Sequence, residues 1–179
     1  ELGVTDPWSP QEEELDGRKV ITCWGMASGF KNTGLGTGTQ DSSGAILRLL
    51  PAGRLQIMTA ASEVGQGMNA TLQLIAAEIL GISPENMNVY LMDTALTPDG
   101  GATTASRQTY VTGNAVKNAA SELRKRIEAM LAVKHGLEPS KMIFGEEFIK
   151  VDDRKIAWQD VYDLLEKSPE GTSVEVRYS

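Results

Sequence analysis

The sequence predicts an α+β domain, a mostly antiparallel sheet with two main helices packed on one face. Two apolar stripes at helical spacing are the first reason: Leu72, Ile75, Ala76, Ile79 and Leu80, then Val116, Ala119, Ala120, Leu123, Ile127, Met130 and Leu131. A pair of β-like runs is the second, residues 45–50 and 55–60, divided by Pro51-Ala52-Gly53-Arg54, whose proline and glycine suit a hairpin connection. The third is that a glycine-containing loop feeds each helix. Ser62-Glu63-Val64-Gly65-Gln66-Gly67-Met68 leads into the first. Gly100-Gly101-Ala102-Thr103-Thr104-Ala105-Ser106-Arg107-Gln108-Thr109, continuing to Gly113-Asn114-Ala115, leads into the second.

Taken in order, residues 1–18 read as a peripheral arm. Ser9-Pro10-Gln11-Glu12 supplies a capping serine, a first-turn proline and a third-position glutamate, so a short helix over 10–15 is expected. Residues 19–24 are β-like. Gly25, Gly29, Gly34, Gly36 and Gly38 then make a stretch too rich in glycine for regular structure, and Gly34-Leu35-Gly36-Thr37-Gly38 lacks the final spacing of a dinucleotide fingerprint. After the hairpin and the first loop, the helix that starts at Met68 ends at Gly81. Residues 88–92 form a short strand, and 93–101 are rich in turn residues. The second helix is the longest, with Lys134 and His135 set against its negative end before Gly136.

Gly145-Glu146-Glu147-Phe148 reads as a turn into a strand. Residues 148–151 and 155–156 form a hairpin around Asp152-Asp153-Arg154, followed by a short helix marked by Trp158, Val161, Tyr162 and Leu165 and lacking a strong N-cap. Val174, Val176 and Tyr178 alternate as a last strand.

Composition narrows the function. A chain of 179 residues is long enough to bury a core without disulfides or metal staples. Its net charge is −7 and its cations are scattered or interleaved with glutamates, which argues against a nucleic-acid partner or an anionic membrane surface. The single cysteine, Cys23, excludes an internal disulfide and any iron–sulfur cluster or cysteine-rich zinc site held by this chain alone; it reads as a small buried apolar residue. His135 is the one histidine and has no second histidine to join it in a metal site, so it reads as a helix-end charge. No metal ligand and no catalytic residue is assigned. No apolar run nears the roughly 20 residues of a membrane span, and the start lacks the regions of a signal peptide, so cytoplasmic residence is the default. Beginning at Glu1 rather than Met is what an excised or processed segment would show.

A helix start presents unpaired N–H groups and the positive end of a dipole, and glycines there let an anion approach the main chain. Two such loops together suit one extended polyanionic ligand. On residues alone, Gly65 and Gly67 are more often backbone punctuation than ligand contacts. Arg107 on residues alone could pair with a surface acid, an arrangement worth less than about 1 kcal/mol.

Five segments in fixed order carry a resemblance. Glu63-Val64-Gly65-Gln66-Gly67, Ile75-Ala76-Ala77-Glu78-Ile79-Leu80-Gly81-Ile82, Val89 through Asp93-Thr94, Ala105-Ser106-Arg107-Gln108-Thr109 and Gly113-Asn114-Ala115 resemble the molybdenum-binding subunit of the xanthine dehydrogenase and aldehyde oxidoreductase family. The likeness is strongest over about residues 45–125. It implies that residues 19–179 are a fragment of a larger molybdopterin-binding domain. It also implies that Gly65, Gln66 and Gly67 lie against the molybdenum centre, where the Gln66 amide bonds a metal oxo ligand or the pterin. Thr104, Ala105, Ser106, Arg107 and Gln108 resemble the second cofactor loop, whose amides and hydroxyls hold the pyranopterin and its phosphate, and the resemblance gives Arg107 a second reading, a charged fork of donors for that phosphate.

The cofactor of bacterial members is commonly the cytosine dinucleotide form. The implied reaction is hydroxylation of an N-heterocycle or an aldehyde with oxygen from water. Its electrons pass to iron–sulfur clusters and FAD on partner subunits or domains. Two family features have no match here: the Gly-Glu-Pro stretch with the catalytic glutamate, and the upstream cofactor loop with glycines around a phenylalanine. The remainder of the molybdenum subunit is therefore a required partner, and the 179 residues alone are expected to be inactive. Two other classes stay open, a structural or assembly module and a stand-alone binder of a phosphorylated ligand.

Overall fold

Asp16 and Gly17, with φ of 52° and 72°, form a two-residue turn that pairs β1 (Gln11–Leu15) antiparallel with β2 (Arg18–Thr22). This corrects the helix expected over residues 10–15. Two positive-φ residues between strands are the signature of a tight hairpin, and a six-residue acidic helix would have to meet the cost of nucleation for about one turn of bonds. The computed structural model describes residues 9–179, so the first eight residues of the expected arm lie outside the described residues. It divides into two units, Glu1–Lys31 and Asn32–Ser179. The hairpin buries none of its side chains, and Cys23, just beyond it, is exposed rather than buried as expected. Two isolated strands make no core to hide it.

The second unit is built on a four-stranded sheet of order β5-β4-β3-β9. β3 (Ser43–Leu50) and β4 (Arg54–Thr59) form the expected hairpin across Pro51–Gly53. β9 (Ser173–Tyr178) pairs antiparallel with β3 on its other side. β5 (Met87–Leu91) runs parallel to β4, because α1 (Met68–Leu80) carries the chain back across the sheet as a β-α-β crossover. Register places Ala45, Leu47 and Leu49 beside Leu55 and Ile57, with Val174 and Met87 on the same face, and all of these are buried. That face carries α1 and α2 (Gln108–His135), whose buried Leu72, Ala76 and Leu80, and Val116, Ala120, Leu123 and Ile127, complete one core.

α2 begins eight residues before the first residue of its predicted stripe, so Gly113-Asn114-Ala115 belong to the helix and not to the loop. Gly113 is buried there, and a β-carbon on it would stand 3.0 Å from Ile75 of α1, so the absence of a side chain sets how closely the helices approach. Gly81 and Gly136 end α1 and α2 in the left-handed conformation, as their positions predict. Beyond α2, β6 (Met142–Phe144), β7 (Phe148–Val151) and β8 (Arg154–Ala157) form a small antiparallel sheet. The β7–β8 hairpin matches expectation and β6 is an addition. α3 (Trp158–Glu166) starts without a side-chain cap and packs Trp158 against Gly53, while its indole N–H donates to the Gly145 carbonyl at 2.8 Å. Among the described residues no helix is long and apolar enough to cross a membrane.

Candidate functional site

Both loops lie at one end of the sheet, where α1 and α2 begin. The second is delivered there by residues 93–101, which leave β5 and cross the start of β3. Gly44 permits the crossing: a β-carbon on it would stand 2.7 Å from Pro98. Ser62 and Thr103 join the two loops, the Ser62 N–H donating to Thr103 Oγ1 at 2.8 Å. The same hydroxyl accepts from Gln108 Nε2 at 3.0 Å. Behind them Gln108 Oε1 bonds the hydroxyl of Thr112, which shares a 2.8 Å bond with the Ser43 hydroxyl, all within the buried interior.

The first loop is held from within. Glu63 Oε1 accepts the N–H groups of Gly65 at 2.8 Å and Gly67 at 3.1 Å, and Oε2 accepts that of Asn69 at 3.1 Å. These bonds, the Asn69 N–H foremost, draw the Glu63 carboxyl below the usual glutamate range. The start of α1 is therefore capped by the chain's own carboxylate, which corrects the expectation that both helix starts stand open to an anion. Gln66 folds over the same loop, its Oε1 accepting the Val64 N–H and its Nε2 donating to the Ser62 carbonyl, both at 2.6 Å.

In the second loop the guanidinium of Arg107 points inward. The residue is 1% exposed. Its Nε–H donates to Asp41 Oδ1, Nη1 to the carbonyls of Gly100 at 2.8 Å and Ala102 at 2.9 Å, and Nη2 to that of Ser42 at 2.7 Å. Asp41 Oδ2 in turn accepts the Leu35 N–H at 3.3 Å, and the Gly34 N–H donates to the Ala105 carbonyl at 2.9 Å. The glycine-rich stretch is thereby tied to the loop. Of the two readings of Arg107, the fork is directed at protein oxygens rather than left open for phosphate, and the acid it meets is half-buried.

Ala105 and Ser106 have φ of 53° and 52°, a left-handed conformation that costs non-glycine residues about 1–3 kcal/mol each and concentrates at functional sites. Arg107 follows in the right-handed region, and such alternation turns successive N–H groups to one side, where they suit an anion.

Gln66 from the first loop and Thr104, Ala105, Ser106, Arg107 and Gln108 from the second line one concavity of about 390 Å³, with Thr103 and Thr109 beside them. Among the described residues no carboxylate is on its wall. Gly65 and Gly67 are exposed and flank it. Sequence reasoning did not single out Glu63, Asp41 or Thr103. A glutamate directly before Gly-x-Gly was the available signal for the first; for the other two no local pattern exists. Among the described residues no group of three or more His, Cys, Asp or Glu side chains could hold a metal ion.

Comparison with known proteins gives the family and the fold. The family described as the molybdopterin cofactor-binding domain matches residues 6–179. The 6-hydroxypseudooxynicotine dehydrogenase complex subunit gamma of Paenarthrobacter nicotinovorans is 30% identical over 158 residues, covering 86% of this chain and 19% of that protein. A probable xanthine dehydrogenase subunit of Bacillus subtilis is 28% identical over 145 residues, 81% of this chain and 20% of that one. Quinoline 2-oxidoreductase from Pseudomonas putida 86 shares the fold, with a TM-score of 0.68 and 21% identity, over 80% of this chain and 20% of its own. The chain thus spans about a fifth of the length of these relatives. By its sequence and its fold, it belongs to the molybdopterin cofactor-binding domain family of the xanthine dehydrogenase and aldehyde oxidoreductase enzymes.

Proposed function

We propose that this chain forms part of a molybdenum hydroxylase and that its two loops help hold the molybdopterin cofactor. The observation that carries the reading is the shared concavity, which gathers Gln66, Thr104 and Ser106 against the start of α2 with no carboxylate on its wall. That donor set fits an anionic, hydrogen-bonding group, since amide and hydroxyl donors approach it without charge repulsion. Gln66 keeps one Nε2–H beyond its bond to Ser62, and Thr104 and Ser106 are exposed. Gly65 and Gly67 leave the first loop without β-carbons where the ligand would lie, with open space around both. Arg107 acts at one remove, holding the loop that makes the contacts. When bound, the molybdenum centre supplies the two-electron chemistry that places oxygen from water on the substrate.

In this reading the substrate of the whole enzyme is an N-heterocycle or an aldehyde. The catalytic base, the iron–sulfur clusters and FAD come from other parts of the enzyme or its partner subunits. The cytosine dinucleotide form of the cofactor and a cytoplasmic setting belong to the same reading. A stand-alone phosphate binder is less favoured, because Glu63 already caps one of the two helix starts such a binder would use.

The test is metal analysis by mass spectrometry on the parent protein from its native source, with the masses of co-purifying chains. Near-stoichiometric molybdenum with iron–sulfur or flavin partners is the expected result. A parent protein free of molybdenum and pterin overturns the reading.

A further inference from the structure

The loop that carries Gln66 has almost no packing to hold its shape. Val64 is 78% exposed, and β-carbons added to Gly65 or Gly67 would meet nothing within 4 Å. What remains is hydrogen bonding. The Glu63 carboxylate gathers three N–H groups from Gly65, Gly67 and Asn69. Gln66 closes the same turn onto Ser62 and Val64, the two neighbours of Glu63. Ser62 is pinned to Thr103 of the second loop.

We propose that Glu63 is a positioning residue: by binding the N–H groups of Gly65, Gly67 and Asn69 it fixes where the Gln66 amide stands against the second loop. The proposal rests on the cofactor reading for the purpose of that position and on geometry alone for the positioning. A charged acceptor suits the task, since hydrogen bonds to an ionised carboxylate are about twice as strong as neutral ones. It also occupies the α1 start, so the anionic part of a ligand is directed to the α2 side, where among the described residues no carboxylate lines the concavity.

The experiment compares full-length wild type with Glu63→Ala, Glu63→Gln and Glu63→Asp, each with and without Gln66→Ala. Backbone amide protection is read for peptides spanning 63–69, with α2 peptides as the control for folding, and pterin released per chain is measured in parallel. Glu63→Ala is expected to lower protection in 63–69 about tenfold or more and leave α2 unchanged, with Glu63→Gln intermediate. Glu63→Asp is one methylene shorter and is expected not to restore the wild-type value. Pterin content is expected to fall several-fold in Glu63→Ala, and Gln66→Ala is expected to add little to it, because both remove the same contact. Unchanged protection in 63–69 overturns the proposal, and so do fully additive losses. A wild-type protein without pterin sinks the cofactor reading alone, because protection still decides what Glu63 does.

Discussion

Removal of the Arg107 guanidinium tests how the second loop is held. Arg107→Met keeps most of the aliphatic volume and deletes four donated hydrogen bonds, leaving the carbonyls of Ser42, Gly100 and Ala102 and the carboxylate of Asp41 without their partner. Breaking a buried ion pair by removing one member costs about 3–5 kcal/mol, because the other charge stays desolvated. The Asp41 side chain is 24% exposed, so water recovers part of that charge, while the orphaned carbonyls add to the loss.

A local cost of about 3–5 kcal/mol lowers amide protection in peptides over 100–112 by about 10²- to 10⁴-fold in the full-length protein. Asp41→Asn alone keeps an acceptor and is expected to cost about 1–3 kcal/mol. The decisive comparison is the pair. Placed on Arg107→Met, Asp41→Asn is expected to restore protection in part, since it removes the charge left unpaired. If Arg107→Met shifts protection by less than about fivefold, the contact is worth no more than an exposed ion pair and the reasoning fails.

Three further outcomes follow from the same geometry. Gly81→Ala places a β-carbon 2.4 Å from the Phe144 carbonyl oxygen at a φ of 69°, so denaturant unfolding of the parent protein is expected to show a loss above about 2 kcal/mol. Thr112→Val keeps the shape but deletes a buried hydroxyl bonded to both Ser43 and Gln108, at an expected cost of about 1–3 kcal/mol in the same assay. Glu63 titrates below the ordinary glutamate value of 4.5, so its contribution is complete above that value and is lost as pH falls through the lower folded value. Protection factors in 63–69 are expected to hold from neutral pH down to that range and then drop in wild type, while Glu63→Gln shows no such step.

Periodicity made the helices legible. Leu72 through Leu80 and Val116 through Leu131 announce their buried faces, and Gly81 and Gly136 announce their ends. Hairpins were legible where proline or glycine chemistry sat between apolar runs. The first hairpin escaped because its strands are acidic and exposed, and only Asp16-Gly17 betrayed it. The parallel pairing of β5 was hidden because a five-residue strand looks the same in either direction. At the site, local sequence located the loops but not the direction of their side chains. Arg107 turns inward because Asp41, 66 residues away, and three carbonyls meet it there. Glu63 and Gln66 act on neighbours two to six residues away, yet through bonds that no hydrophobic period records.

The left-handed pair Ala105-Ser106 sets an evolutionary tension. Glycine at either position would relieve the backbone and raise the stability of the empty protein. A laboratory selection for heat tolerance alone is therefore drawn to position 106 early, and the winner it keeps would have given up the one hydroxyl that strain sets at the mouth of α2. If the proposed cofactor contact is made there, such a lineage would grow hardier while its hold on the cofactor weakens, and the two traits would separate along a single codon.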